Sequence, residues 1–249
     1  MRLKDKIALM SGVGPRMGRS TAYLFAQEGA KSVIVARRED HLQETVMTIR
    51  SKNGDAFGAV GDVAKKEDAK RVVQETLDQL GRIDILYSGG GGFYEPGREF
   101  SDVDDAFWEK AIDNNLNGLF NLTKAVTPIM KSQGGGTILV ISASFSVRQN
   151  GNPAYATAKS GLIGFAQSLS KELYPDNIRV NVVAPGLIRG TEPQMPVIPG
   201  PDSLNRVGLV QDIAYASAYL VSDEASWVNG QVLAVDGGVD VNARSLENV

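Results

Sequence analysis

Seven short apolar, β-branched runs recur along the chain, separated by longer stretches, several with helical spacing of apolar residues. This alternation constrains the fold more than any other feature. The runs are KIALMSG (6–12), SVIVAR (32–37), AFGAVGD (56–62), DILYSGG (84–90), TILVISAS (137–144), IRVNVVAPG (178–186) and QVLAVDGG (231–238). Helical patterns fill 19–29, 66–81, 104–132 and 154–174. Strands that are apolar throughout belong to parallel sheets covered on both faces. The pattern predicts an α/β, doubly wound fold with about seven parallel strands and helices on both sides. With no repeat, low-complexity linker or break in composition, residues 1–249 read as one domain. The proline-rich stretch 189–206 has no apolar period and is expected to be a substrate loop.

Composition narrows the chemistry. The chain has no cysteine, which excludes disulfides, thiolate metal sites and cysteine nucleophiles. Its one histidine, His41, lies in the charged helical stretch REDHLQETVMTIR and reads as a solvated helix residue rather than a base. Any mechanism must therefore run on oxygen, lysine or a cofactor, and no metal site is expected. A net charge of −3 argues against a nucleic-acid surface. No apolar run is long enough for a membrane span. The N-terminus enters its first strand after a few residues, leaving no room for a signal peptide, so a cytoplasmic protein is expected.

The first strand leads into SGVGPRMG (11–18), where a parallel sheet offers an anion the free N–H groups of the next helix. Glycine is needed there because a Cβ would block a pyrophosphate or the required backbone angles. Alone, such a loop is no more than a tight turn. After the second strand, Arg37 and Arg38 stand where an adenosine ribose would lie. A carboxylate at that place bonds a 2′-hydroxyl, whereas arginine suits a 2′-phosphate, so NADP is favoured over NAD. The plainer alternative is that these arginines merely begin a solvated helix.

YATAK (155–159) sets Tyr155 and Lys159 four residues apart, on one helix face. Tyrosine is a poor base, and a neighbouring ammonium favours its phenolate. At ~4 Å and an effective dielectric near 20 the attraction is about 4 kcal/mol, roughly three pK units before solvent screening. Such a pair can exchange a proton with an alcohol or carbonyl oxygen while a nicotinamide exchanges a hydride.

Taken together in order and spacing, SGVGPRMG, GDV (61–63), NNLNG (114–118), YATAK, IRVNVVAPG and ASWVNGQVLAVDGG (225–238) resemble the short-chain dehydrogenase/reductase family, in its single-domain, 3-oxoacyl-carrier-protein-reductase-like branch. The resemblance runs nearly end to end and implies a Rossmann fold. It also implies Tyr155 as general acid/base, with Lys159 holding the nicotinamide ribose and lowering the tyrosine pKa. Asn115 would support a water relay, and Asp62 and Val63 would contact adenine. Pro185, Gly186 and Ile188 would flank the nicotinamide. Gly12, Gly14, Arg16, Met17, Gly18, Ser88, Gly89 and Gly90 fall in the family's remaining cofactor-binding segments. A homotetramer is implied as well, with Ala158, Gly161, Leu162 and Phe165 suited to close helix approach.

The chain departs from the family in four places. Arg16 stands at the middle glycine of the loop, where it could pair with pyrophosphate or distort the turn. Ser88 and the glycines after it replace a polar segment that braces the central strand. The threonine beside the carboxamide falls at Thr191, one place late. The family's catalytic serine, counted back from Tyr155, is Ser142; counted forward along the strand it is Ala143. Ser142 is the choice, with Ser144 as alternative and loss of the serine also open. The leading expectation is an NADP(H)-dependent oxidoreductase of a small carbonyl/alcohol pair. A catalytically silent nucleotide-binding homologue is the alternative.

Overall fold

In the computed structural model, which describes residues 1–189 and 206–241, all seven expected strands form one parallel sheet. They are β1 (Ile7–Ser11), β2 (Lys31–Ala36), β3 (Ala56–Val60), β4 (Ile85–Ser88), β5 (Gly136–Ile141), β6 (Ile178–Pro185) and β7 (Val232–Val235), in the order β3-β2-β1-β4-β5-β6-β7. The chain winds outward from β1 to β3, then returns to lay β4 along the other side of β1. That reversal opens a crevice at the carboxyl ends of β1 and β4, the place where such sheets bind ligands.

Period-2 alternation divides the strands between two cores. Ala8, Met10, Leu139 and Ile141 pack with α1 (Met17–Gln27), α2 (Glu39–Ser51) and α8 (Val210–Val221). Leu9, Ile138 and Val140 pack on the other side with α3 (Lys66–Leu80), α5 (Gly118–Ser132) and α7 (Pro153–Glu172). Burial of β1 along its whole length explains why its sequence is apolar rather than alternating. Helix ends follow local chemistry: Asn152 caps α7 ahead of Pro153, and Gly81 ends α3 in a left-handed conformation at φ +78°.

The stretch 104–132, expected as a helix, is helical from 105 to 132 but not uniform. α4 (Asp105–Ile112) passes through a π-helical turn at Asp113–Asn117 before α5 begins. Side-chain amides mark the break: Asn114 donates to the Lys110 carbonyl at 2.8 Å and Asn115 to the Ala111 carbonyl at 2.9 Å. Asparagines that bond nearby backbone compete with regular helix geometry, and apolar spacing alone does not reveal that competition. The short α6 (Phe145–Asn150) likewise has no periodic signal. The proposed substrate loop, including Thr191, lies outside the described residues apart from its ends.

Candidate active site

At the end of β1 the chain turns through Gly12 at φ +69°, where a Cβ would lie 2.3 Å from the Gly89 carbonyl carbon. Gly18, near the start of α1, would bring a Cβ within 2.7 Å of the Val13 Cα. Backbone packing inside the chain therefore requires both glycines. Gly14 is different: no atom lies within 4 Å of its would-be Cβ, and it borders a groove of about 780 Å³. Arg16, Met17 and Gly18 continue that border, so the N-terminus of α1, the end of a helix that attracts anions, faces the groove. A phosphate-bearing ligand fits this cradle. The Arg16 guanidinium donates to the Ile188 carbonyl and ties the loop to the segment after β6.

Arg37 and Arg38 border the same groove beyond β2, both exposed, with Arg38 3.6 Å from Asp40. His41, a partly exposed residue of α2, borders it too. Val63 also lines the groove, while the Asp62 carboxylate accepts the Ala64 N–H at 3.2 Å. Asn121, which the sequence did not single out, fixes this turn by donating to the Val63 and Ala64 carbonyls at 3.1 and 2.9 Å. Gly118 allows the close approach, since a Cβ there would meet the Val63 side chain at 2.8 Å.

At the other end, β4 finishes with Ser88 beside Ser11, and Gly89 donates to the Ser11 carbonyl at 2.9 Å. Lys159 on α7 is buried and donates to the carbonyls of Gly90 at 2.6 Å and Ile141 at 3.1 Å. Its head therefore lies where the ends of β4 and β5 meet the groove. Tyr155 sits one helical turn earlier, its ring centroid 5.9 Å from the ammonium. Burial pushes Lys159 down to about 7. Burial also raises Tyr155 above the ordinary phenol range, nearby Tyr94 adds to the rise, and Arg148 opposes it. The expected lowering of Tyr155 by Lys159 is thus not realised in the chain alone. Both charged forms suffer from desolvation, and two backbone carbonyls hold the ammonium.

Asn115 is buried in the π-helical turn, with its amide on the Ala111 and Gly92 carbonyls. Its Oδ1 finds no protein partner, which suits a bound water. Ser142 departs from expectation. It continues the Ile138/Val140 row toward α7, and its hydroxyl donates to the Lys159 carbonyl at 2.7 Å. Ala143, two residues past the end of β5, is the residue that clusters with Tyr155. Counting by interval selected Ser142, whereas in the turn that follows β5 it is Ala143 that comes beside Tyr155. Ser144 caps α6, accepting the Val147 N–H and lying 3.0 Å from the Ser146 hydroxyl.

Pro185 accepts the Ser144 N–H at 2.8 Å, and Gly186 donates to the Val235 carbonyl at 2.9 Å. Ile188 bridges to Gly208, so 185–188 forms the wall next to Ala143 and Ser144. Asp240, also unforeseen, holds the start of α6 by accepting the N–H groups of Phe145 and Ser146 at 2.7 and 2.8 Å.

Known proteins share this architecture and sequence. The family model described as enoyl-(acyl carrier protein) reductase matches residues 12–240. The 3-oxoacyl-acyl-carrier-protein reductase FabG of Thermotoga maritima is 34% identical over 250 residues, covering 96% of this chain and 99% of the relative. Among solved structures, a short-chain dehydrogenase/reductase from Burkholderia xenovorans has a TM-score of 0.87 at 32% identity, covering 98% of this chain and 99% of its own. A 7α-hydroxysteroid dehydrogenase complexed with NADH and 7-oxo glycochenodeoxycholic acid has a TM-score of 0.84 at 32% identity, covering 95% of each chain.

Proposed function

The chain belongs to the short-chain dehydrogenase/reductase family, NAD(P)-dependent oxidoreductases of carbonyl/alcohol pairs, and within it we propose an enzyme that prefers NADP(H) and uses Tyr155 to transfer the proton. The observation that carries this reading is that Lys159, 5.9 Å from the Tyr155 ring, donates to the carbonyls of Gly90 and Ile141, which line the inner end of a groove whose outer end bears Arg37 and Arg38. Gly12, Gly14, Met17 and Gly18 would hold the pyrophosphate, with Arg16 beside it. Asp62 and Val63 would meet adenine. Ser88, Gly89, Gly90, Pro185, Gly186 and Ile188 would enclose the nicotinamide end, with Thr191 assigned there from sequence. Bound there, the nicotinamide supplies or accepts a hydride.

The chain's own groups manage the proton. Tyr155 stays protonated because burial raises its pKa, so it is charged as an acid for carbonyl reduction. Lys159, moved toward the ribose hydroxyls, would bring its ammonium to bear on the phenol and ease the return of the proton. Asn115 would hold the water through which the proton is replaced. Ser142 acts on this machinery by fixing the Lys159 backbone.

Exposed arginines at the 2′ position support NADPH over NADH by about tenfold or more, the size of one charge-assisted hydrogen bond. Fluorescence titration with both cofactors checks this; equal affinity, or a preference for NADH, overturns it. An NADPH-depletion screen over carbonyl compounds identifies the substrate. The silent-homologue reading gains from Ala143 beside Tyr155, and a screen with no turnover despite tight NADPH binding would favour it.

We also propose a cytoplasmic homotetramer. Among the described residues no helix is long and apolar enough to cross a membrane. Ala158 and Leu162 are buried within the chain and do not supply an interface, a correction to their expected role. Phe165, packed edge-on to exposed Phe120 at 6.4 Å, and the exposed Leu233 of β7 remain to do so. Light scattering at micromolar concentration should give four chains, and a monomer would contradict the assignment.

A further inference from the structure

A strained turn sits beside the reacting tyrosine. Phe93 has φ +66°, a left-handed conformation that bulky L-residues rarely adopt. Such strain persists only where surrounding contacts impose it, and it often marks a functional place. Here the contacts are visible. The buried Asn152 amide donates to the Phe93 carbonyl at 2.6 Å, and Asn152 Oδ1 accepts the Tyr155 N–H at 3.0 Å. One side chain therefore holds the turn and caps the helix of Tyr155. On its other side, Phe93 packs edge-on to Phe107 at 5.2 Å, and the Arg98 guanidinium covers Phe107 at 4.3 Å.

The result is the position of the next residue. The Tyr94 ring lies 5.2 Å from that of Tyr155, centroid to centroid, at an interplanar angle of 62°. The two share a small cluster with Ala143, Val147 and Leu187. Ala143 brings a methyl group to the place where a hydroxyl would steady the substrate oxygen. The hydroxyls of Ser142 and Ser144 are engaged elsewhere, on the Lys159 carbonyl and on Ser146. Tyr94 is partly buried, which favours its neutral, hydrogen-donating form.

We propose that Tyr94 is the second hydroxyl of the catalytic centre, donating a hydrogen bond to the substrate oxygen that the Ala143 methyl cannot supply. The role rests on the oxidoreductase reading above. In reduction, the substrate carbon gains a hydride from the nicotinamide, the C=O π pair moves to oxygen, and that oxygen takes the Tyr155 proton. Tyr94 keeps its own proton and stabilises the charge that develops on the oxygen.

The test uses the full chain with NADPH and three ketone probes: the N-acetylcysteamine thioester of acetoacetate, cyclohexane-1,2-dione and a 7-oxo bile acid. Whichever probe the wild type reduces fastest serves for every variant. Tyr94→Phe keeps the ring and should lower kcat at least ~10-fold, as expected for loss of one donor to a developing oxyanion. Its NADPH affinity by fluorescence should stay within about twofold. Adding Ala143→Ser to Tyr94→Phe should restore part of kcat, an outcome that loss of packing alone would not give. An unchanged kcat in Tyr94→Phe, or an equal loss of kcat and NADPH affinity, overturns the role of Tyr94 and leaves that of Tyr155 standing. If the wild type reduces none of the probes, the oxidoreductase reading fails and this proposal fails with it.

Discussion

The two ends of the groove are built by different means. Around the β1 loop, backbone contacts set the residue types: Gly12 and Gly18 have no room for a side chain, and the end of α1 offers N–H groups whatever its side chains are. Around α7, side chains decide: Lys159 on two carbonyls, Asn152 across the Phe93 turn, and Ala143 against Tyr155. The first end is suited to holding a shape that many nucleotides share. The second can change its chemistry through one substitution. Binding and turnover should therefore respond separately to mutation.

Lys159 is the point where the two ends meet, so Lys159→Ala should give the largest effect. Turnover should fall by at least ~10²-fold, and NADPH affinity should fall as well, because the same side chain serves ribose and phenol. Steady-state kinetics combined with fluorescence titration would read both; a loss confined to kcat would break the shared role. At the outer end, replacing Arg37 and Arg38 together by alanine should erase the roughly tenfold NADPH preference while leaving NADH affinity and kcat nearly unchanged. A lower kcat with NADH in that variant would mean that the ends are coupled.

Arg16 tests the boundary between the ends, since it joins the glycine loop to Ile188. Arg16→Gly should weaken NADPH binding by about threefold to tenfold and reduce its salt dependence, as for a lost phosphate cation. Tighter binding would identify the arginine as an obstruction.

The smallest effect concerns stability. Burial brings Lys159 to about 7 in the folded chain, whereas in the unfolded chain it stays near the ordinary lysine value of 10.5. Between those values the unfolded state binds more protons, so the stability of the dinucleotide-free protein rises with pH across that window. Tyr155, whose pKa is raised, opposes this only near and above its unfolded value of 10. Tm should rise by at least ~3 °C from pH 7 to about 9.5, and Lys159→Met should abolish the rise. A flat profile in the wild type would contradict the lowering of Lys159 by burial.

The same contrast explains what the sequence made legible. The five inner strands were readable because burial on both faces writes itself as continuous apolar residues, as in IALMS of β1, and the edge strands β3 and β7, though partly exposed, keep the apolar runs AFGAV and VLAV. Gly12 and Gly18 were readable because positions with no room for a side chain leave few residue choices, whereas Gly14, with open space around it, was readable only from its place in the loop. The π-helical turn around Asn115 was not, since it depends on amide groups taking backbone carbonyls that helical periodicity does not register. The serine was misplaced because an interval counted along the chain does not show how the backbone turns once it leaves β5 at Ile141. Asn152, whose two bonds join residues far apart in sequence, carried only the signal of a helix cap before proline.

Separation of binding from chemistry is tested most directly with Tyr155→Phe, which keeps the ring and removes the hydroxyl. With an identified carbonyl substrate, kcat should fall by at least ~10²-fold, the lower end for general acid–base catalysis, while NADPH affinity stays within about threefold of wild type. Turnover at the wild-type rate would contradict the assignment of Tyr155 as the proton donor.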